Sequence, residues 1–202
     1  MGNRGGAIHN DHHEIVRAYK SPRWLICVLE FKGRRRTVMT PRLYTELFFL
    51  DEAVALSAGH RPCAECRRAR FEEYRRAWGV ILRAPEMDAE LHRSRIDRQG
   101  RKITYEDKLD VAPDGSFVAV AGSACLVWGD ALFPWTPYGY GPAESRPRGQ
   151  MVAVLTPPDT VRCLRNGYVP QVHESCRPRA DSTNISHFVF SGPQNKTLKK
   201  QG

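Results

Sequence analysis

Long hydrophobic runs are missing from this 202-residue sequence. No apolar stretch approaches the roughly 18 residues that a membrane-spanning helix needs. The first residues, Met1 to Gly6, also lack the apolar core of a signal peptide. Both absences argue against a membrane or secreted protein, and we expect a soluble protein of the cytoplasm without a membrane partner.

Cysteine is sparse for a chain of this length, and only Cys63 and Cys66 are close together in sequence. Disulfide scaffolds are small chains with a much denser cysteine framework. In a reducing compartment, a close pair is more often metal-binding or redox-active than disulfide-forming. The other four cysteines stand alone: Cys27, Cys125, Cys163 and Cys176.

Known catalytic fingerprints are missing too. The sequence contains no recognisable Ser/His/Asp triad, EF-hand loop or dinucleotide-binding motif. It also contains no internal repeat and no low-complexity tract. The function must therefore be sought in local clusters of charged, sulfur-containing and aromatic residues.

Positive charge is abundant and unevenly distributed along the chain. Residues 1–102 carry 21 Lys and Arg against 13 Asp and Glu, residues 103–176 carry 5 against 8, and residues 177–202 carry 5 against 1. A basic first half beside a mildly acidic second half predicts an anionic partner, most naturally nucleic acid. The alternative is a basic surface that is simply solvated.

The hydrophobic pattern predicts an α+β fold, with a small sheet and short helices around a zinc knuckle, followed by a β-rich C-terminal part. We expect a module over residues 1–100 with a Gly/His-rich N-terminal loop, the β-rich part over 101–176, and a polar basic tail over 177–202. Strands are predicted over 24–31, 34–39, 44–49, 117–120, 124–128 and 151–155. Helices are predicted over 52–58, from 67 onwards, over 85–95 and over 160–166. In the helix that begins near 67, Phe71, Tyr74 and Trp78 form an apolar stripe at helical spacing.

The segment Pro62-Cys63-Ala64-Glu65-Cys66 predicts half of a zinc site. Two thiolates at this spacing both reach one tetrahedral Zn²⁺, and the turn between them directs backbone N–H groups at the sulfurs. Neighbouring arginines favour the thiolate form. The alternatives are two ordinary buried thiols or a redox pair, although no βαβ pattern surrounds the segment.

Residues 43–67 resemble the zinc-binding N-terminal domain of the bacterial Ada DNA-repair proteins. The resemblance is strongest over Asp51-Glu-Ala-Val-Ala-Leu-Ser-Ala-Gly-His-Arg-Pro-Cys-Ala-Glu-Cys66, where a helix cap, a short helix, a glycine stop and the Cys pair follow in the same order. It implies zinc binding and a role on DNA in repair or regulation. The second, upstream Cys pair of Ada, one member of which accepts a methyl group, has no counterpart in the Lys-Gly-Arg-Arg-Arg of residues 32–36.

Several residues compete to complete the zinc site. His173 and Cys176 repeat the two-residue spacing and would give a Cys₃His site, which is the set we predict. Cys27 lies in the apolar run over 24–31 and is more typical of a core residue. The remaining candidates are His60 and the N-terminal cluster of His9, His12 and His13, which could also perform acid/base chemistry.

We predict that nucleic acid binds through a basic group consisting of Arg34, Arg35, Arg36, Arg67 and Arg68. Two further patterns fit the same partner. Arg95 lies three residues after His92 on a predicted helix and suits a phosphate, although a solvated helix face is the simpler interpretation. The aromatic stretch from Trp128 to Tyr140 suits unpaired bases, although such stretches often just close the edge of a core.

Two other function classes stay open. The first is an enzyme acting on nucleic acid or nucleotides, with the N-terminal histidines or His92 in its site. The second is a zinc-stabilised module that binds an acidic protein. Loss of turnover on histidine substitution would identify the enzyme, and competition by DNA would separate nucleic acid from protein partners.

Overall fold

The computed structural model describes residues 1–33 and 37–176. Within these ranges the chain forms a three-stranded sheet, four short α-helices and a larger antiparallel sheet. This confirms the predicted α+β class. The arginines at 34–36 and the predicted tail over 177–202 lie outside the described residues. Residues 37–39, the described part of the strand predicted over 34–39, contain a turn and no strand.

The small sheet consists of β1 (Gly2–Arg4), β2 (Trp24–Ile26) and β3 (Arg61–Pro62) in that spatial order. β1 runs antiparallel to β2, whereas β3 runs parallel to it. The Gly-rich start of the chain was predicted as a loop but supplies β1. The predicted strand over 44–49 is reduced to one bridge between Gly2 and Leu47.

Three helices follow the small sheet: α1 (Glu52–Ser57), α2 (Arg68–Ala77) and α3 (Ala84–Arg95). Asp51 caps α1 as expected, because its Oδ1 accepts the Val54 N–H at 2.9 Å. Gly59, at φ +83°, supplies the left-handed turn that follows the helix. The apolar stripe predicted on α2 is buried, with Tyr74 and Trp78 at most 1% exposed.

The strands of the large sheet are β4 (Tyr105–Lys108), β5 (Phe117–Val120), β6 (Ser123–Trp128), β7 (Ala131–Thr136), β8 (Gly139–Tyr140), β9 (Glu144–Ser145) and β10 (Met151–Val154). Their spatial order is β4-β10-β5-β6-β7-β8, with β9 also paired to β7. All of these pairings are antiparallel. The charged β4 and the proline-containing β7 were not predicted.

Each face of the large sheet carries a buried apolar cluster. On one face, Phe117, Leu126 and Phe133 share an apolar cluster with Ala53 of α1. On the other, Val118 and Val127 pack with Val161 of α4 (Pro158–Arg165). The sheet therefore lies between a helix from the first half of the chain and a helix that follows the sheet in sequence.

Helix α4 also completes the core of the first half. Cys163 and Leu164 of α4, together with Tyr168, belong to the same buried cluster as residues of α2 and α3. The apolar cores therefore extend across the predicted boundary near residue 100. In the described part of the chain, no helix has the length and apolar character required to cross a membrane.

Candidate metal centre

Three thiols converge at one end of the small sheet. The Sγ atoms of Cys27, Cys63 and Cys66 all lie within 4.8 Å of one another. Among residues 1–33 and 37–176, no other group of three or more His, Cys, Asp or Glu side chains comes this close. We call this group the Cys₃ cluster, and its three sulfurs are close enough to hold one metal ion.

The parallel pairing of β2 and β3 brings the first two thiols together. Leu25 pairs with Arg61 and Ile26 pairs with Pro62, so Cys27 and Cys63 are the next residues on both chains. The Cys63 N–H donates to the Ile26 carbonyl at 2.9 Å, which extends the register by one step. Two residues 36 positions apart in sequence are thus placed side by side by backbone hydrogen bonds.

The turn after β3 adds the third thiol. The Glu65 N–H lies 3.4 Å from the Cys63 Sγ, and the Arg67 N–H donates to the Cys63 carbonyl at 3.1 Å. This turn places Cys66 beside the other two sulfurs, immediately before α2 begins at Arg68. An N–H aimed at the sulfur is the arrangement expected of a Cys-x-x-Cys metal knuckle.

The thiols also share their protons unequally. A hydrogen bond with the Cys27 thiol lowers the pKa of Cys63 to about 5, while the same interaction together with burial raises the pKa of Cys27. Burial raises the pKa of Cys66. The cluster therefore favours one thiolate held by two neighbouring thiols, and the remaining protons would leave when a cation binds.

A cavity of about 660 Å³ adjoins the Cys₃ cluster, and all three cysteines line it. Cys63 is buried, whereas Cys27 and Cys66 are half-buried. Other lining residues include the apolar Leu25, Val28, Phe31 and Phe48. The cluster is consequently accessible to an ion or a small molecule from one side.

His173 and Cys176, which were predicted to complete the site, are not members of this cluster. The His173 N–H donates to the Asp51 Oδ2 at 2.9 Å, and its Nδ1 lies 2.8 Å from the Ser175 Oγ. Cys176 packs against the apolar cluster of the large sheet. The cap of α1 thus holds this segment, and the third thiol beside Cys63 and Cys66 is Cys27, which was predicted as a core residue.

The other histidine candidates also have different surroundings. His60 is fully buried, and its ring lies 5.2 Å from the Trp24 ring and 4.8 Å from the Phe49 ring between centroids. His9 is buried with its Nδ1 2.6 Å from the Thr45 Oγ1, whereas His12 and His13 are exposed. The described structure therefore does not assemble the N-terminal histidines into a metal site.

The predicted nucleic-acid arginines are partly described. Arg67 lies 3.4 Å from Glu52, and its Nη2 donates to Gln171. Arg68 is exposed on α2 and pairs with Glu72 at 2.7 Å. Because Arg34, Arg35 and Arg36 lie outside the described residues, their role stays a prediction.

Comparison with known proteins assigns no function to this site. No protein-family model, curated protein or solved structure matches the chain. The resemblance to Ada stays an expectation that depends on the residues around Cys63. The metal centre depends on the positions of three sulfur atoms.

Proposed function

We propose that the chain is a zinc-binding protein in which Cys27, Cys63 and Cys66 hold Zn²⁺. The observation that carries this proposal is the convergence of three sulfurs within 4.8 Å. Thiolates favour zinc, copper(I) and iron–sulfur clusters over calcium and magnesium. Among these, the Cys-x-x-Cys spacing beside a single distant cysteine fits a mononuclear zinc site best.

Three protein ligands leave one position of a tetrahedral zinc ion open. Structural zinc sites are closed by four protein ligands, whereas sites with three keep a position for water or substrate. Among the described residues, no fourth His, Cys, Asp or Glu joins the cluster. The adjoining cavity gives a small ligand access to that position.

The partner that fits the zinc-bound region best is nucleic acid. Cys66 lies two residues before α2. In this helix, Arg68 and Arg76 are exposed and Arg75 is half-buried. A metal ion at the cluster would fix the start of this basic helix. The excess of positive charge over residues 1–102 and the resemblance to Ada support binding to DNA, in repair or regulation.

Metal analysis of purified protein tests the zinc site. Mass spectrometry should find stoichiometric zinc in the wild type and in Cys125→Ser, a matched control in which the altered cysteine is buried in the large sheet. Cys27→Ser should lose the metal, and His173→Ala should keep it. Full zinc occupancy in Cys27→Ser would contradict the proposed ligand set.

Salt-dependent DNA binding tests the partner. Reversing Arg34, Arg35 and Arg36 to Glu should weaken binding and flatten the plot of log K against log salt by about 0.9 per lost phosphate contact. Arg68→Glu should act in the same direction, while Arg148→Glu, an exposed reversal in the C-terminal part, should have little effect. Equal affinities for all four proteins would contradict the basic-surface proposal.

An enzyme is the second candidate, and the cavity beside the three thiols is the observation that favours it. Cobalt(II) in place of zinc provides a spectroscopic test of the open position. Added imidazole or azide should shift the cobalt absorption bands where the fourth position is exchangeable. An unchanged spectrum would indicate four fixed ligands and favour a structural metal.

A further inference from the structure

A second cavity, of about 290 Å³, lies between the small sheet, α1 and the large sheet. Three cationic side chains line it: Arg4 of β1, Arg95 of α3 and Lys102. Two tryptophans, Trp24 and Trp135, also contribute to the lining. No carboxylate belongs to the lining in the described part of the protein, so we call this space the cationic cavity.

Carbonyl oxygens, not carboxylates, hold these cations in place. The Arg95 Nη1 donates to the Gly59 carbonyl at 2.8 Å, the Arg4 Nη1 donates to Ala18 at 3.2 Å and the Lys102 Nζ donates to Ser57 at 2.6 Å. A carbonyl orients a cation but does not neutralise it. The cavity consequently keeps a surplus of positive charge.

Arg95 is the most buried of the three cationic residues. Its side chain is buried, with the residue only 1% exposed, and burial lowers the pKa of its guanidinium. The carboxylate nearby, Asp88, is already bound by two nitrogens of Arg61 at 2.8 and 2.7 Å. A buried charge without a free counter-ion is costly, which an anionic ligand would offset.

The guanidinium groups are also held rigidly over an aromatic ring. The Arg4 Cζ lies 4.1 Å from the centroid of the Trp24 ring, and the Arg95 Cζ lies 3.9 Å from it. Such cation–π contacts restrict both side chains before any ligand arrives. Pre-organisation of this kind lowers the entropy lost on binding.

The unpaired polar atoms of the lining residues are all hydrogen-bond donors. Within the described structure, the buried Nε atoms of Arg4 and Arg95 and the buried indole Nε1 atoms of Trp24 and Trp135 have no partner. A buried N–H without an acceptor is destabilising. These residues therefore add buried donors, and no buried acceptor without a partner, to the surroundings of the cavity.

The rest of the lining of the cationic cavity is largely apolar and aromatic. Phe117, Trp135, Val54 and Leu155 line it, which suits a flat ring. The volume lies near the lower end of small-molecule sites. A nucleotide with a terminal phosphate is a small molecule that combines several hydrogen-bond acceptors, two negative charges and a flat ring.

We propose that the cationic cavity binds a nucleotide, with its phosphate among Arg4, Arg95 and Lys102 and its base against Phe117 and Trp135. The nucleotide has two possible sources, a free mononucleotide or the 5′-phosphorylated end of a strand. This binding goes beyond the proposed zinc function and does not require the Cys₃ cluster. Cys27→Ser should therefore lose zinc and keep nucleotide affinity.

Isothermal titration calorimetry with four probes tests the proposal. AMP should bind, and adenosine and inorganic phosphate should each bind at least tenfold more weakly. Adenosine as tight as AMP would overturn the phosphate assignment, and phosphate as tight as AMP would overturn the base assignment. A 5′-phosphorylated oligonucleotide identifies the source: binding that is tighter than that of AMP and is weakened by Lys102→Gln indicates a strand end, whereas oligonucleotide binding that Lys102→Gln leaves unchanged indicates the free nucleotide.

Variants at the mouth of the cavity locate the binding. Lys102→Gln removes an exposed charge without disturbing the core, and it should weaken AMP binding about tenfold. Trp135→Phe keeps an aromatic ring but removes the indole N–H, and it should weaken AMP binding severalfold. Lys108→Gln, an exposed lysine on β4, is the matched control and should bind like the wild type. Wild-type affinity in Lys102→Gln, or no AMP binding to the wild type at millimolar concentration, would overturn the proposal.

Discussion

The two sheets of this protein are stabilised in different ways. The small sheet has strands of two or three residues, and its neighbourhood contains buried polar groups such as His60, Arg61 and Asp88. The large sheet includes strands of four to six residues and is covered on both faces by apolar side chains. The candidate metal centre and the cationic cavity both adjoin the small sheet.

This difference separates the region that contains both candidate sites from the region that acts as a scaffold. A sheet with so few backbone hydrogen bonds depends on side-chain contacts for its position, and ion pairs, thiols and stacked arginines provide them. The large sheet depends on burial of apolar area and has the character of a scaffold. Perturbations of polar groups should therefore act on the first region, and cavities in the apolar core should act on the second.

Breaking the buried ion pair beside β3 should have the largest effect. Asp88→Ala leaves Arg61, which is 2% exposed, without a carboxylate. Loss of one partner of a buried pair costs about 3–5 kcal/mol of unfolding free energy. Urea denaturation measures this, and Arg93→Ala, at an exposed position of the same helix, should cost less than about 1 kcal/mol.

A cavity in the large sheet should be nearly as destabilising, but by a different mechanism. Leu126→Ala, at a fully buried site of β6, should cost about 2–5 kcal/mol. Zinc per folded chain should not change, because the Cys₃ cluster lies in the other region. Met151→Ala, an exposed position in the same sheet, is the control and should stay within about 0.5 kcal/mol of the wild type. Parallel loss of zinc from folded Leu126→Ala would show that the two regions are not independent.

Metal removal should destabilise the wild type by an intermediate amount. A ligand present at 100 times its dissociation constant stabilises the native state by about 2.7 kcal/mol. Thermal unfolding with and without a chelator should show this difference in the wild type. Cys27→Ser should show no chelator effect, and an equal effect in that variant would place the metal elsewhere.

Acidification should have a smaller, graded effect through His60. Burial, reinforced by Arg4, Arg95 and Lys102, lowers the pKa of His60 well below that of the unfolded chain. The unfolded state therefore binds more protons below pH of about 6.5, and stability should fall by up to about 1.4 kcal/mol per pH unit as the pH decreases. At pH 7.5 and above, the stability that depends on a neutral His60 is fully present.

His60→Phe provides the control for this pH dependence. A phenyl ring suits the contacts with Trp24 and Phe49, and it cannot take up a proton. Urea denaturation at pH 7.5, 6.5 and 5.5 should show a smaller loss of stability for the variant than for the wild type. Identical pH profiles would mean that His60 does not titrate in this range.

The sequence predicted the elements whose determinants are local. The cap at Asp51, the end of α1 near Gly59 and the buried stripe of α2 depend on neighbouring residues only, and all were confirmed. The strands at 117–120, 124–128 and 151–155 were found because their residues are mostly apolar. The aromatic stretch from Trp128 to Tyr140 was not predicted as a strand, but pairing with β6 and β8 places β7 within it.

The metal site was only half predictable for the same reason. Cys63 and Cys66 are close in sequence, whereas Cys27 joins them through the parallel pairing of β2 with β3. Nothing in residues 24–31 distinguishes a thiol at a strand end from one inside a core. Likewise, Arg95 and Trp135 were singled out separately, and only the packing of the two sheets places both at one cavity.

The position of α4 has a consequence for synthesis on the ribosome. Cys163, Leu164 and Tyr168 complete the apolar cluster that contains residues of α2 and α3. The nascent first half therefore leaves the exit tunnel with an incomplete core and cannot finish folding until the second half has followed. Such distant contacts slow folding, so we expect the region that carries the three cysteines to reach its final packing late in folding.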